Sequence, residues 1–248
     1  WEKFHAGITA KLKLAPPLKQ KLVAWAMGVG RRTAKDRNRG EVGAGGLAYR
    51  VANKLIYSKL KPAIGLGRAR FCISGAAPIA PEVLEFMSGL DVTIFEVYGQ
   101  SEGSGPTSFN RPGAARFGSV GPPLPEVEVK IADDDEILVK GHNVFMGYFK
   151  DEEATAATLT DGWLHSGDLG KFDERGFLHI IGRKKDIIIT AGGKNITPKN
   201  IESALKSSEL VAEAVVIGDR RKFLSALLCL DPEAVARWAE ENEVQTSG

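Results

Sequence analysis

Glu96-Val97-Tyr98-Gly99-Gln100-Ser101-Glu102-Gly103 is the stretch on which the reading of the fold turns. Val92 to Tyr98 has the apolar content of a strand, and a glycine-containing turn follows it. That turn collects an aromatic ring, a hydroxyl and a carboxylate, the assortment a nucleotide needs. The Tyr98 face can stack on a purine, the Ser101 hydroxyl can donate to phosphate, and Glu102 offers the oxygen donor that Mg²⁺ prefers. A hairpin turn with a core tyrosine reads equally well from these residues.

Working toward the N-terminus, Phe71-Cys72-Ile73-Ser74 reads as a buried strand and Pro78 to Ser88 as a short helix, so strand, helix and strand succeed one another as at the end of an α/β layer. Between strand and helix, Ser74-Gly75-Ala76-Ala77-Pro78 holds small residues that let a flat ligand approach the backbone, or that serve packing alone. Residues 1–62 place apolar side chains at helical spacing, with breaks at Pro16-Pro17 and around Arg37 to Gly46. Toward the C-terminus, VEVKI, EILVKG and GFLHIIG alternate between turn signals such as DDD and DERG, which predicts a small antiparallel sheet or barrel over Val127 to Ile181. After Gly182 the pattern restarts: strand DIIIT, a Gly-Gly loop, a helix from Pro198 to about Lys206, strands VAEAVVIG and FLSALLCL, and a helix from Pro232. These form a separate small α+β unit.

Further segments complete a pattern. Glu136-Ile137-Leu138-Val139-Lys140-Gly141 is followed by Val144 and Gly147-Tyr148-Phe149. Then come Gly162-Trp163-Leu164-His165-Ser166-Gly167-Asp168, Gly182-Arg183-Lys184-Lys185-Asp186 and Gly192-Gly193-Lys194-Asn195-Ile196 with Pro198 and Ile201-Glu202. With the Tyr-Gly-x-Ser-Glu segment, this order resembles the adenylate-forming superfamily of acyl-CoA synthetases, luciferases and nonribosomal peptide adenylation domains. The wording ISGAAP, EVYGQSEG, GWLHSGD and TAGGKNITP is most similar to long-chain fatty acyl-CoA ligases.

The resemblance implies an α+β / α/β fold. Residues 1–182 are expected to be the end of a large AMP-binding domain, with an α/β portion over about 1–118 and a β-barrel-like portion over about 119–182; residues 183–248 are expected to be a truncated small C-terminal domain. It implies an AMP/ATP site of Gly75, Ala76, Ala77, Glu96, Val97, Tyr98, Gly99, Ser101, Asp168 and Arg183. Asp168 can accept from both ribose hydroxyls, the forked guanidinium of Arg183 suits ribose and phosphate oxygens, and Glu96 with the Val97 backbone is expected at the adenine amino edge. Ser101 and Glu102 are the implied catalytic groups, Glu102 also holding Mg²⁺. Lys185 is the implied hinge, and Gly192 and Gly193 line the implied CoA path. ATP, a fatty acid and CoA are the implied substrates, with an adenylation domain loading a carrier protein, including a fatty acyl-AMP ligase, and a noncatalytic nucleotide-binding module as alternatives.

Composition bounds these readings. With 43% hydrophobic and 26% charged residues the chain is globular in type. Cys72 and Cys229 sit in apolar runs without redox or metal spacing and read as buried structural thiols. His5, His142, His165 and His179 show no metal-ligand spacing, and Gly193-Lys194-Asn195 fails the phosphate-loop spacing. No apolar run is long enough for a membrane span and no signal peptide opens the chain, so a cytoplasmic location is expected. The net charge of +2 conceals 16 Lys and Arg against 3 Asp and Glu in residues 1–70, and 17 against 28 in the remainder. The basic part is expected to allow peripheral contact with the inner membrane surface, whereas no nucleic-acid motif accompanies it. Trp1 in place of Met, the absence of a hydroxyl-rich phosphate loop ending in Lys (Gly43-Ala44-Gly45-Gly46 lacks both), and the absence of any Lys after Lys222 lead to the expectation of a fragment that binds AMP or acyl-AMP without adenylating a fatty acid.

Overall fold

The computed structural model describes residues 1–41 and 45–244, so Gly43 and Ala44 of the glycine-rich stretch lie outside the described residues. The chain divides into two compact units, one of Trp1–Ser166 with Gly170–Ile180, the other of Gly167–Leu169 with the chain from Ile181 onward.

The first unit opens with helices over Glu2–Lys13 (α1) and Pro17–Asn38 (α2). The Pro16-Pro17 pair separates them, and Pro17 takes the first helical position, where its missing N–H costs nothing. Leu47–Ala52 (α3) runs through a π-turn at Asn53–Tyr57 into Ser58–Ala63 (α4). A strand over Cys72–Ser74 (β1), a helix over Pro81–Gly89 (α5) and a strand over Ile94–Gln100 (β2) follow. The two strands pair in parallel, with Ser74 opposite Glu96, and Gly105–Phe109 (β3) pairs antiparallel to β2. β1 is the edge of this sheet, which leaves Phe71 and Ile73 exposed at 58% and 49%; the buried strand expected there is a half-open one. The core of the layer is Leu84, Met87, Leu90 and Ile94, with α2 crossing α5 so closely that Gly30 faces the backbone of Gly89.

A five-stranded sheet follows along the chain. Val127–Ile131 (β4), Glu136–Gly141 (β5), a helix over Glu152–Thr158 (α6), Leu159–Thr160 (β6), Trp163–Phe172 (β7) and Leu178–Arg183 (β8) supply five strands in the order β4-β5-β7-β6, with β8 also on β7. The alternation predicted a sheet or a barrel, and the pairing forms a sheet with no closed barrel among the described residues. Its core is Ile137, Val139, Leu164 and Leu178, joined by Tyr98 from β2.

In the second unit a 3₁₀ turn at Lys184–Asp186 leads to a hairpin of Ile188–Ile189 (β9) and Asn195–Ile196 (β10), then a helix over Pro198–Leu205 (α7). Val211–Ile217 (β11) and Ser225–Leu230 (β12) pair antiparallel, and Pro232–Glu241 (α8) is capped by Asp231, which accepts from Ala234 N. Glu202 of α7 accepts from Val216 N at 3.0 Å and fixes the helix on β11. Burial alone would raise this carboxyl, but the Val216 N–H and Lys199 carry it below its usual range. Among the described residues β12 pairs with β11 alone and is exposed throughout, so Cys229 is an exposed thiol; Cys72 of β1 is half-buried, and the two are not the buried thiols their apolar runs predict.

Candidate active site

The polar turn after β2 is a 3₁₀ turn at Ser101–Gly103, closed by Ser104 in the left-handed conformation at φ 55°. Gly99 sits at a bulge in the β2–β3 pairing, where a Cβ would collide with Gly105 O and lie 2.9 Å from the Cα of Pro106. The turn is fastened from the loop after β5: Asn143 Nδ2 donates to Gly103 O at 3.0 Å and Phe145 N to Glu102 O at 2.8 Å. Tyr148 Oη donates to Glu102 Oε1 at 2.8 Å, so the carboxylate is aimed by a phenol, and that bond raises the phenol's own pKa. Ser101 is exposed and Glu102 partly so. Asn143 and Tyr148 escaped the reading of residue types because each supports the turn from some 40 residues away; only the Gly147-Tyr148-Phe149 resemblance touched one of them.

Tyr98 is 9% exposed and packs on Ile137, Val139, Leu164 and Leu178. Of the two readings of the turn, the structure has the hairpin with a core tyrosine, made by β2 and β3, and the Ser101 hydroxyl and Glu102 carboxylate stand at its end. Glu96 is equally buried, and its Oε2 accepts from Gly118 N at 2.9 Å instead of facing outward. Burial pushes the Glu96 carboxyl up to about 7, opposed by the Gly118 N–H. The same Gly118 is gripped from its other side, with His179 Nδ1 2.9 Å from Gly118 O and His179 Nε2 3.2 Å from Asp173 Oδ2. Asp173 also takes Arg116 at 2.6 Å. Burial works upward on this carboxyl, but N–H groups of Phe177 and Arg175, His179 and Arg116 together bring it down to about 2.

The Gly75-Ala76-Ala77 loop leaves the carboxyl end of β1, where parallel strands open their ligand crevices. It lies beside Val97: a Cβ at Gly75 would come 2.7 Å from Val97 Cγ1, and Ala76 holds φ 66°. The first unit thus gathers Gly75, Ala76, Ala77, Glu96, Val97, Tyr98, Gly99, Ser101 and Glu102 around the end of β2.

In the second unit Asp168 occupies one of the inward positions of β7, and Arg183 closes β8 alongside it. Arg183 Nε donates to Asp168 Oδ1 at 3.1 Å, with the carboxylate recessed at 11% side-chain exposure and the guanidinium open at 63%. Lys185 is exposed in the following 3₁₀ turn. Gly192 and Gly193 form the open tip between β9 and β10, where Gly193 takes φ 76° and an added Cβ at either would meet nothing within 4 Å. No group of three or more His, Cys, Asp or Glu side chains among the described residues could hold a metal ion.

A family profile described as AMP-binding enzyme matches residues 15–149. The chain belongs to the AMP-binding enzyme family. A second profile, the C-terminal domain of AMP-binding enzymes, matches residues 185–246. Among relatives of this AMP-binding protein, a long-chain-fatty-acid–CoA ligase of Xenopus laevis, ACSBG2, is 44% identical over 237 residues, which cover 93% of the chain and 32% of the relative. The long-chain-fatty-acid–CoA ligase FadD15 of Mycobacterium bovis is 45% identical over 200 residues, 81% of the chain and 33% of the relative. The chain thus spans about a third of the length of these relatives. The o-succinylbenzoate CoA synthetase of Bacillus subtilis in complex with AMP aligns with TM-score 0.58 at 34% identity, over 69% of this chain and 39% of that one. The same synthetase with ATP and magnesium aligns with TM-score 0.59 at 33% identity, over 72% and 42%. These neighbours carry the mixed α/β and α+β architecture described above.

Proposed function

We propose that this chain is part of a long-chain fatty acyl-CoA ligase, an enzyme in which a fatty acid carboxylate attacks the α-phosphate of ATP, expels pyrophosphate, and yields acyl-AMP. The CoA thiol then attacks the mixed anhydride, forming the thioester and releasing AMP. The observation that carries this reading is the Asp168–Arg183 pair, a recessed carboxylate beside an open guanidinium. A carboxylate so placed accepts from both ribose hydroxyls, and its charge strengthens each bond; the guanidinium meets ribose or phosphate oxygens bidentately.

The remaining roles come from the family resemblance, and the residue types suit them. Gly75, Ala76 and Ala77 with the Val97 backbone meet the adenine edge, Tyr98, 9% exposed, backs that surface from the core, and Gly99 allows the turn to fold. Ser101 donates to the α-phosphate as charge builds there. Glu102, held by Tyr148, would be the protein ligand of Mg²⁺, which when bound would neutralise phosphate charge. The donor set fits that ion, because Mg²⁺ takes one or two carboxylates and completes its shell with phosphate oxygens and water, without a protein cage. Lys185 is the hinge residue that absorbs backbone change, and Gly192 and Gly193 leave the CoA path clear. In domain terms residues 1–182 belong to the large AMP-binding domain and those from 183 to the small one. The protein works in the cytoplasm, with residues 1–70 in peripheral contact with the inner membrane surface.

The test is fatty-acid-dependent pyrophosphate release and acyl-CoA formation by the whole enzyme, comparing wild type with Asp168→Ala. Loss of two charge-assisted hydrogen bonds, about 3 kcal/mol, should lower turnover per KM for ATP roughly 100-fold. A change under threefold would remove the ribose assignment. Product analysis with CoA and with a carrier protein decides the acceptor, and acid-dependent pyrophosphate release from the 248 residues alone would show that they carry the adenylation chemistry by themselves.

A further inference from the structure

The corner between α1 and α2 displays side chains that contribute nothing to the core of its unit. Leu14 is 89% exposed and Leu18 is 81% exposed, on either side of Pro16-Pro17. Gln20 builds the corner, its Nε2 donating to Lys13 O at 3.2 Å and to Ala15 O at 2.8 Å, so the two leucines are displayed by a hydrogen-bonded turn. Leu22 and Trp25 continue from Leu18 at helical spacing, and Trp25 is 41% exposed.

Around this apolar tip the charge has one sign. Lys11 and Lys13 close α1, Lys19 and Lys21 open α2, all four are exposed, and no Asp or Glu occurs from Lys3 through Lys35. Lysines in the first turns of α2 stand at the positive end of the helix dipole, where helix stability favours acids. An external anion gives this arrangement a purpose. Nucleic acid or free phosphate would use the lysines, and bases could stack on the tryptophan, but neither has a use for two displayed leucines, whereas an anionic bilayer uses all three: headgroups meet the lysines and the acyl boundary takes the leucines, with tryptophan at the interface between them. No helix among the described residues is long and apolar enough to cross a membrane, so the contact is interfacial.

We propose that the Leu14–Leu18 corner, with Lys11, Lys13, Lys19 and Lys21 around it, is the element by which this protein docks on an anionic lipid surface. The inference rests on the peripheral-contact part of the function proposed above, sharpens it from residues 1–70 to one corner, and is independent of the ligase chemistry.

The experiment is sedimentation of the full chain with vesicles of phosphatidylcholine alone and of phosphatidylcholine with phosphatidylglycerol, at low and high salt. Wild type should bind the anionic vesicles and be released by salt. Leu14→Ser with Leu18→Ser, which leaves the net charge unchanged, should weaken that binding about 10-fold or more; Lys11, Lys13, Lys19 and Lys21→Gln should weaken it similarly and flatten the salt dependence. Lys171→Gln with Lys222→Gln should change nothing, and circular dichroism should show every variant folded. If the leucine variant binds like wild type while Arg31, Arg32 and Lys35→Gln abolishes binding, the corner is refuted and the broader membrane contact stands. If wild type ignores anionic vesicles, both fail. Binding to single-stranded RNA that depends on the lysines and not on the leucines overturns the proposal in favour of a nucleic-acid surface.

Discussion

Glu96 lies two residues before Tyr98, buried, with a carboxyl raised from 4.5 to about 7. The folded state therefore holds a proton between those two values that the unfolded chain has released. Stability contributed by that proton is present at low pH and lost as pH climbs toward 7, so an ionised Glu96 is a burden at pH 8. Glu96→Gln removes the charge and keeps an oxygen for Gly118 N. By about 1.4 kcal/mol per pKa unit the ceiling of the gain at pH 8 is roughly 3 kcal/mol, shrinking toward zero near pH 4.5. Urea midpoints of wild type and variant at pH 5 and pH 8 measure it, and a variant no more stable than wild type at pH 8 contradicts the buried-charge account. Tyr148 is the opposite case, an exposed-side residue whose loss should spare stability and cost function. Tyr148→Phe removes the bond that aims Glu102, and a rise of about 10-fold or more in KM for ATP at unchanged melting temperature is expected, equivalent to about 1.5 kcal/mol, the lower end for one hydrogen bond to a charged group. An unchanged KM would mean that Glu102 needs no aiming.

At the scale of elements, α2 and α5 meet through two glycines, and α2 contains its own control. A Cβ on Gly30 would lie 2.7 Å from the carbonyl carbon of Gly89 and 2.9 Å from Ser88 O, backbone that cannot swing away, whereas a Cβ on Gly28 would meet nothing within 4 Å. Both positions are interior to the same helix. Gly30→Ala should thus destabilise by about 1–3 kcal/mol through overpacking, and Gly28→Ala should stabilise by about 0.5–1 kcal/mol through helix entropy. Thermal melts of the two variants separate the effects, and equal shifts of one sign would show that the crossing is not tight. Most elements were legible as periodicities: the strand–helix–strand of β1, α5 and β2, the alternating strands of the sheet, and the succession from β9 to α8. Misreadings came where burial depends on neighbours and not on the residue itself. The runs at Phe71–Ser74 and Ser225–Leu230 are apolar enough for a core, yet one forms a sheet edge and the other has a single partner strand. Asp168 and Arg183 could be named from motifs, but not the inward-facing Glu96 carboxylate, since its partner Gly118 is a backbone N–H that no residue type announces.

For the whole molecule the two units are held by different devices, which makes their cohesion separable. In the first, Asp91 follows α5 with a side chain only 5% exposed and receives Arg37 at 2.9 Å, Lys61, and the hydroxyl of Tyr49 at 3.0 Å, tying α2, α3 and α4 to the end of α5. In the second, Glu202 ties α7 to β11 through Val216 N. Asp91→Asn keeps the side chain's tolerance of its φ of 60° while removing the charge, and should cost about 2 kcal/mol, the worth of a charge-assisted hydrogen bond. Glu202→Ala should cost about 1.5 kcal/mol on the same grounds. Two compact units with separate internal ties need not unfold together. Hydrogen exchange read peptide by peptide should show faster opening of α2 and α5 in the first variant with α7 and β11 unchanged, and the reverse in the second. If either substitution accelerates exchange equally across both sets of peptides, the chain opens as one cooperative body and the division into two units has no energetic meaning.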